Sequence, residues 1–120
     1  MTPESRLADL GIALPAAAVP AANYVPSVLA AGLLHISGQI PFTEDGGLIR
    51  GRLGETMDVA AGQEAAKRCA IGVIAQAKAA LGELSNVARI VKLNVFVNSA
   101  PGFTDQPEVG NGASDLMVAV

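Results

Sequence analysis

The chain has no tryptophan, one tyrosine, three phenylalanines, one cysteine and one histidine among its 120 residues. With so few aromatics the interior must be tiled from small and aliphatic side chains, alanine above all. Cores of that kind are thin, so support from neighbouring subunits is expected. A lone Cys69 excludes an internal disulfide and a cysteine-based zinc site. It also fits a reducing compartment, and a cytoplasmic location is the expectation. A lone His35 leaves no His/Cys metal cluster and no acid–His–Ser triad. Runs of Lys or Arg are missing too, and the net charge is −3. A nucleic-acid binder usually carries a basic stripe, so nucleic acid is not an expected partner.

Long hydrophobic runs are also absent. Leu10–Thr43 carries no Asp, Glu, Lys or Arg, yet Pro15, Pro20, Asn23, Pro26 and Gly32 interrupt it. No stretch approaches the ~20 apolar residues that a bilayer requires. Glu4 precedes Arg6 and no apolar core follows them, so a signal peptide is not expected. Gly51-Arg52-Leu53-Gly54 lacks the Gly-Lys-Ser/Thr of a phosphate loop, and no Gly-x-Gly-x-x-Gly opens a helix. No cofactor and no metal are implied.

What is present is 51% apolar and 16% charged residues, with a mean hydropathy of +0.42, a balance that excludes intrinsic disorder. The length argues for one domain. Thr2-Pro3-Glu4 is a helix start: a cap, a first-turn proline, and an acid at the positive end of the dipole. That short helix is expected to dock weakly, and residues 1–22, Pro/Ala-rich from Leu14, read as an N-terminal extension. Tyr24–Ala31 suits a strand. Leu33–Ile40 alternates, with Leu34, Ile36, Gly38 and Ile40 on one face and Leu33, His35, Ser37 and Gln39 on the other. After the turn Thr43–Gly47, Leu48–Leu53 is expected to fold back as a third strand.

Thr56 or Asp58 caps the main helix, which runs to Leu81 and stops at Gly82. Its inner face carries Val59, Ala66, Ala70, Val73, Ile74, Ala77 and Leu81. Arg89–Asn98 reads as the clearest strand, with Val91, Leu93, Val95 and Val97 facing the helix. The other face, Lys92, Asn94, Phe96 and Asn98, is mixed in polarity and suits a subunit interface or ligand site. Pro101–Pro107 reads as a loop and Asn111–Val120 as the start of a second helix. That helix carries no terminal cap, so the domain is expected to be incomplete at its C-terminus.

Asn23-Tyr24-Val25-Pro26-Ser27-Val28, followed by Leu33-Leu34-His35-Ile36-Ser37-Gly38-Gln39-Ile40-Pro41, resembles the reactive-intermediate deaminase (YjgF-like, L-PSP endoribonuclease) family. The helix, the strand Ile90–Val97 and the Asn98–Thr104 loop continue the resemblance over residues 23–120. It implies an α+β, chorismate-mutase-like fold, with an antiparallel-rich sheet packed on one face by helices. It also implies a homotrimer with ligand clefts between subunits. The implied activity is hydrolysis of reactive enamines and imines, such as 2-aminoacrylate, to keto acids and ammonia. Other family members are described as ribonucleases or translation inhibitors. By the same resemblance Tyr24, Ser37, Gly38 and Asn111 line the cleft and receive a small imino or keto acid. The family's carboxylate-binding arginine and late glutamate would lie beyond Val120.

Each of these residues also has a plainer reading. Ser37 suits a strand serine bonded to backbone. His35 suits an interface position. Tyr24 suits a core filler, Cys69 a buried thiol, and Lys92 and Asn94 interface hydrogen bonding. Three functions therefore follow from the sequence: an imine deaminase, an endoribonuclease, and a non-catalytic binder of small ligands.

Overall fold

In the computed structural model, which describes residues 1–120, the chain runs through α1 (Pro3–Asp9), β1 (Ser27–Ala30), β2 (Leu33–Ile36) and α2 (Val59–Leu81). A 3-10 turn (Leu84–Asn86) and α3 (Gln106–Ala119) complete it. The class is α+β, with an antiparallel hairpin and helices packed beside it.

The central helix α2 has the bounds that its signals predict. The Asp58 carboxylate accepts from the Ala61 N–H at 2.8 Å, so of the two candidate caps Asp58 is the one used. The Thr56 hydroxyl instead accepts from the Arg52 N–H at 2.8 Å. Gly82 ends the helix at φ +81°, a conformation that glycine adopts without Cβ cost. Ala66, Ala70, Ile71, Ile74 and Ala77 are buried in one core with Leu84, Ala113 and Leu116.

The N-terminal helix docks more firmly than expected. Thr2 and Ser5 cap it reciprocally, and Leu7 is only 3% exposed within the common core. The Glu4 carboxylate accepts from the Leu84 N–H at 3.2 Å and lies 3.6 Å from the Lys78 ammonium. Arg6 donates to the Val120 carbonyl at 2.7 Å. The Pro/Ala segment that follows is pinned by Gln76, 3% exposed on α2, whose amide donates to the Ala18 carbonyl at 2.8 Å.

Four strand expectations are corrected, and the first, Tyr24–Ala31, narrows to Ser27–Ala30. β1 pairs with β2, Ala30 opposite Leu33, through a two-residue turn in which Ala31 (φ +52°) and Gly32 (φ +76°) are both left-handed. That turn matches the right-handed twist of the strands. Leu48–Leu53 does not form a third strand. Its pairing with the hairpin shrinks to one bridge, Phe42 to Leu48, while Leu53 turns away to pair with Ser99. Without a third strand to hold the pleat, alternation lapses after Ile36. The Gln39 side chain comes down on α2 at Gly72, and Ile40 is left exposed.

Arg89–Asn98 forms no ladder either. Its only backbone pairing lies at its end, where the Leu53 N–H donates to the Asn98 carbonyl at 2.9 Å and the Ala100 N–H to the Leu53 carbonyl at 2.8 Å. Side-chain pattern alone placed a strand here, but a strand needs partners on its edges. Of the four residues expected to face the helix, Leu93 packs against the core, but Val91 and Val95 are left exposed.

Helix α3 begins at Gln106, five residues before the expected start, with Pro107 in its first turn. The Pro107 that suggested a loop is the residue that opens the helix. Helices α2 and α3 cross at glycines. A methyl on Gly62 would meet Leu53 at 2.9 Å and Val109 at 3.2 Å, and one on Gly112 would meet the Gln63 backbone. The Gln63 amide donates to the Glu108 carbonyl at 2.8 Å and closes the crossing. No helix is long and apolar enough to cross a membrane.

Candidate functional site

The hairpin carries three of the four candidate site residues to one end. The Ser37 N–H donates to the Pro26 carbonyl at 3.0 Å, which continues the β1–β2 pairing one step beyond Ile36. Ser37 and Gly38 therefore lie beside the turn that holds Tyr24, whose own N–H donates to the Ala22 carbonyl at 2.9 Å. Tyr24 is exposed, and so is Gly38; Ser37 is half-buried. Tyr24 is thus no core filler in this chain. The Gln39 amide donates to the Ser37 carbonyl at 3.2 Å and fixes the exit from the hairpin. Gln39, within the Ser-Gly-Gln run, is thus tied to the Ser37 backbone.

The fourth candidate, Asn111, lies elsewhere. It is exposed in the middle of α3, not at the helix start where the sequence reading set it. It borders a shallow cavity of about 360 Å³ with Leu93, Val95, Gln106, Pro107, Gly110 and Ser114. No lining residue carries a charge, so this cavity by itself offers polar amides and a hydroxyl but no anion clamp. The Gln106 amide is held by the Ser99 hydroxyl at 3.2 Å and the Phe103 carbonyl at 2.9 Å. The Ser114 hydroxyl donates back to the Gly110 carbonyl at 3.4 Å. Ser114 falls within the helix expected from the sequence, whereas Gln106 joins it only because α3 starts five residues earlier than expected.

The two groups meet α2 at different points. Gln39 rests on Gly72, and Gly112 rests on Gln63. Those contact points are nine residues apart on α2, about 13 Å along the axis and about half a turn around it. Leu34 and Ile36 of the hairpin and Ala113 and Leu116 of α3 nevertheless share one core with α2.

The remaining titratable groups have local roles. His35 stands opposite Val28 on the exposed face of the hairpin. Burial pushes the half-buried Cys69 thiol above its ordinary range, which keeps it protonated and unreactive. Asp45 borders an open concavity of about 530 Å³ at the turn Thr43–Leu48. The Thr43 hydroxyl, and then the Gly47 N–H at 3.1 Å, hold its carboxyl below the usual carboxylate range. No three His, Cys, Asp or Glu side chains converge as a metal site would need.

Three comparisons place this architecture. Protein TCP17 of Trypanosoma cruzi is 54% identical over 116 residues, which make up 97% of this chain and 72% of that protein. The crystal structure of Atu1372 from Agrobacterium tumefaciens, a protein of unknown function, superposes with a TM-score of 0.87 at 45% identity. The match covers 98% of this chain and 71% of that one. A putative endoribonuclease from Shewanella oneidensis superposes with a TM-score of 0.90 at 35% identity, over 99% of this chain and 79% of its own. Residues 4–120 match the family model described as YjgF/chorismate mutase-like, putative endoribonuclease. The match reaches back into α1, in keeping with the burial of Leu7 in the common core. With its hairpin, its two crossed helices and this match over nearly its whole length, the chain belongs to the YjgF/chorismate mutase-like family.

Proposed function

We propose that the protein is an imine deaminase that works as a homotrimer in the cytoplasm. It would take a small 2-imino acid and water and release the 2-keto acid and ammonia. One observation carries this reading: Tyr24, Ser37 and Gly38 gather at one exposed end of the hairpin while Asn111 borders a separate cavity that none of them lines, so a cleft between copies can bring the two together. The outer face of the hairpin supports such assembly, since Val28, Leu33 and His35 are exposed there and share one side. In the assembled cleft Tyr24 supplies a wall, Ser37 and the Gly38 backbone hold the substrate, and Asn111 orients water with its amide. The charge that anchors the substrate carboxylate is not among these four residues.

The test is release of keto acid from an imino acid generated in situ by an amino-acid oxidase. Acceleration over spontaneous hydrolysis is expected, with a fall of tenfold or more in Ser37→Ala at unchanged oligomeric mass. A rate equal to the uncatalysed one overturns the reading. A second reading, endoribonuclease, is favoured by the description of the Shewanella relative. Against it stand the net charge of −3 and the lack of an aromatic or basic strip. RNA cleavage that co-elutes with the protein and disappears in Ser37→Ala would favour it over the deaminase.

A further inference from the structure

The exit of the hairpin is held to α2 at two places. The Gln39 side chain sits over Gly72, where an added Cβ would stand 3.2 Å from its Oε1, 3.3 Å from its Cβ and 3.5 Å from its Cγ. One turn earlier on the helix, the Arg68 guanidinium donates to the Phe42 carbonyl at 2.7 Å. Positions 68 and 72 share a face of α2, so the exit runs along that face. The same Gln39 side chain donates through Nε2 to the Ser37 carbonyl at 3.2 Å. It therefore joins the helix to Ser37 and Gly38, the two residues that the deaminase reading assigns to the substrate. The helix offers a firm seat, because Ala70 and Ile71, next to Gly72 in the chain, are 2% and 1% exposed.

We propose that Gln39 and Gly72 are positioning residues for the substrate site. The bare α-carbon of Gly72 sets how closely the Gln39 stem approaches α2, and the Gln39 amide passes that placement to the Ser37–Gly38 backbone. The role in catalysis rests on the deaminase reading, whereas the positioning itself rests on the contacts just described. Neither residue need touch the substrate. A methyl at position 72 presses on the Gln39 Cβ and Cγ as well as on its amide oxygen. Those two carbons lie close to the main chain and cannot swing aside as the far end of a side chain can. The displacement therefore passes to the backbone at Gly38 and Gln39, and through the amide to Ser37. A group that holds the substrate before reaction is felt in KM when it is misplaced.

The test compares Gly72→Ala, Gln39→Ala and the double variant by amide hydrogen exchange and by imino-acid turnover. The Ser37 N–H is bonded to the Pro26 carbonyl and reports on the end of the hairpin. Gly72→Ala is expected to speed its exchange about fivefold while the amides of α2 stay protected, which a general loosening of the fold would not allow. KM for the imino acid should rise about fivefold, with kcat changed by less than about twofold. Gln39→Ala should act alike, and Gly72→Ala should add little to it, because the path runs through the Gln39 side chain. Ser37 exchange left unchanged by Gly72→Ala overturns the proposal. So does a Gly72→Ala effect of equal size with and without the Gln39 side chain, or, in an active parent, a KM that no variant moves. A parent without turnover overturns the deaminase reading alone, and exchange at Ser37 then still decides the positioning.

Discussion

Gly112 of α3 lies directly against the Gln63 backbone of α2, with its α-carbon side turned to the neighbour's main chain. A methyl group at Gly112 would stand 2.7 Å from the Gln63 carbonyl carbon and 2.8 Å from its α-carbon. Backbone cannot rotate away as a side chain can, so the two helices would have to separate. Gly112→Ala is therefore expected to cost about 2–3 kcal/mol. Gly110→Ala serves as the control, because its methyl would meet Val95 only at ordinary contact, 3.8 Å. There the helix propensity of alanine should prevail and stabilise by about 0.5–1 kcal/mol. Urea denaturation of the two variants checks the opposite signs.

The hairpin turn contains a second imbalance. Ala31 holds φ +52°, where an alanine Cβ crowds the following carbonyl. Asparagine tolerates this region and is favoured at the first position of such a turn. Ala31→Asn should raise stability by about 0.5–1 kcal/mol, read as a higher denaturation midpoint at unchanged slope.

Cys69 provides a pH dependence with a definite sign. Burial raises its pKa in the folded state above that of the unfolded chain. The unfolded chain therefore loses this proton first as the pH climbs. Stability is unaffected by Cys69 below the ordinary thiol range and falls as the pH rises through it. The wild-type protein should show an alkaline loss of stability that Cys69→Ala reduces, and slow thiol labelling at neutral pH that denaturant accelerates.

Gln76 tests what holds the extension in place. Its amide is buried and donates to the Ala18 carbonyl. Gln76→Leu keeps the bulk but leaves that carbonyl without its partner, a loss of about 1 kcal/mol. Limited proteolysis should cut the 13–22 segment faster in this variant while α2 stays protected.

How much of this was legible depended on where the information resides. Helix signals are local. Asp58, Gly82 and the Thr2 cap each act within a few residues, and the sequence reading placed both helices from them. Pro107 carried the same kind of signal for α3 but stood in a run that also reads as a loop. Strands are settled by partners far along the chain. Leu34 and Ile36 were rightly turned inward, yet Gln39 and Ile40 exchanged places because α2, not a third strand, lay beneath them. The candidate site was legible only as residue types. Nothing in the sequence showed that Asn111 would fall in the middle of α3, bordering a cavity that Ser37 does not line.

Alanine at positions 66, 70, 75 and 77 forms much of the buried wall of α2. Such a wall hides little hydrocarbon for each residue that it orders. The heat-capacity increment of melting grows with the hydrocarbon released to water, so here it should be small for a chain of this size. The stability curve is then broad and shallow, and chilling weakens this protein less than one built around aromatic side chains.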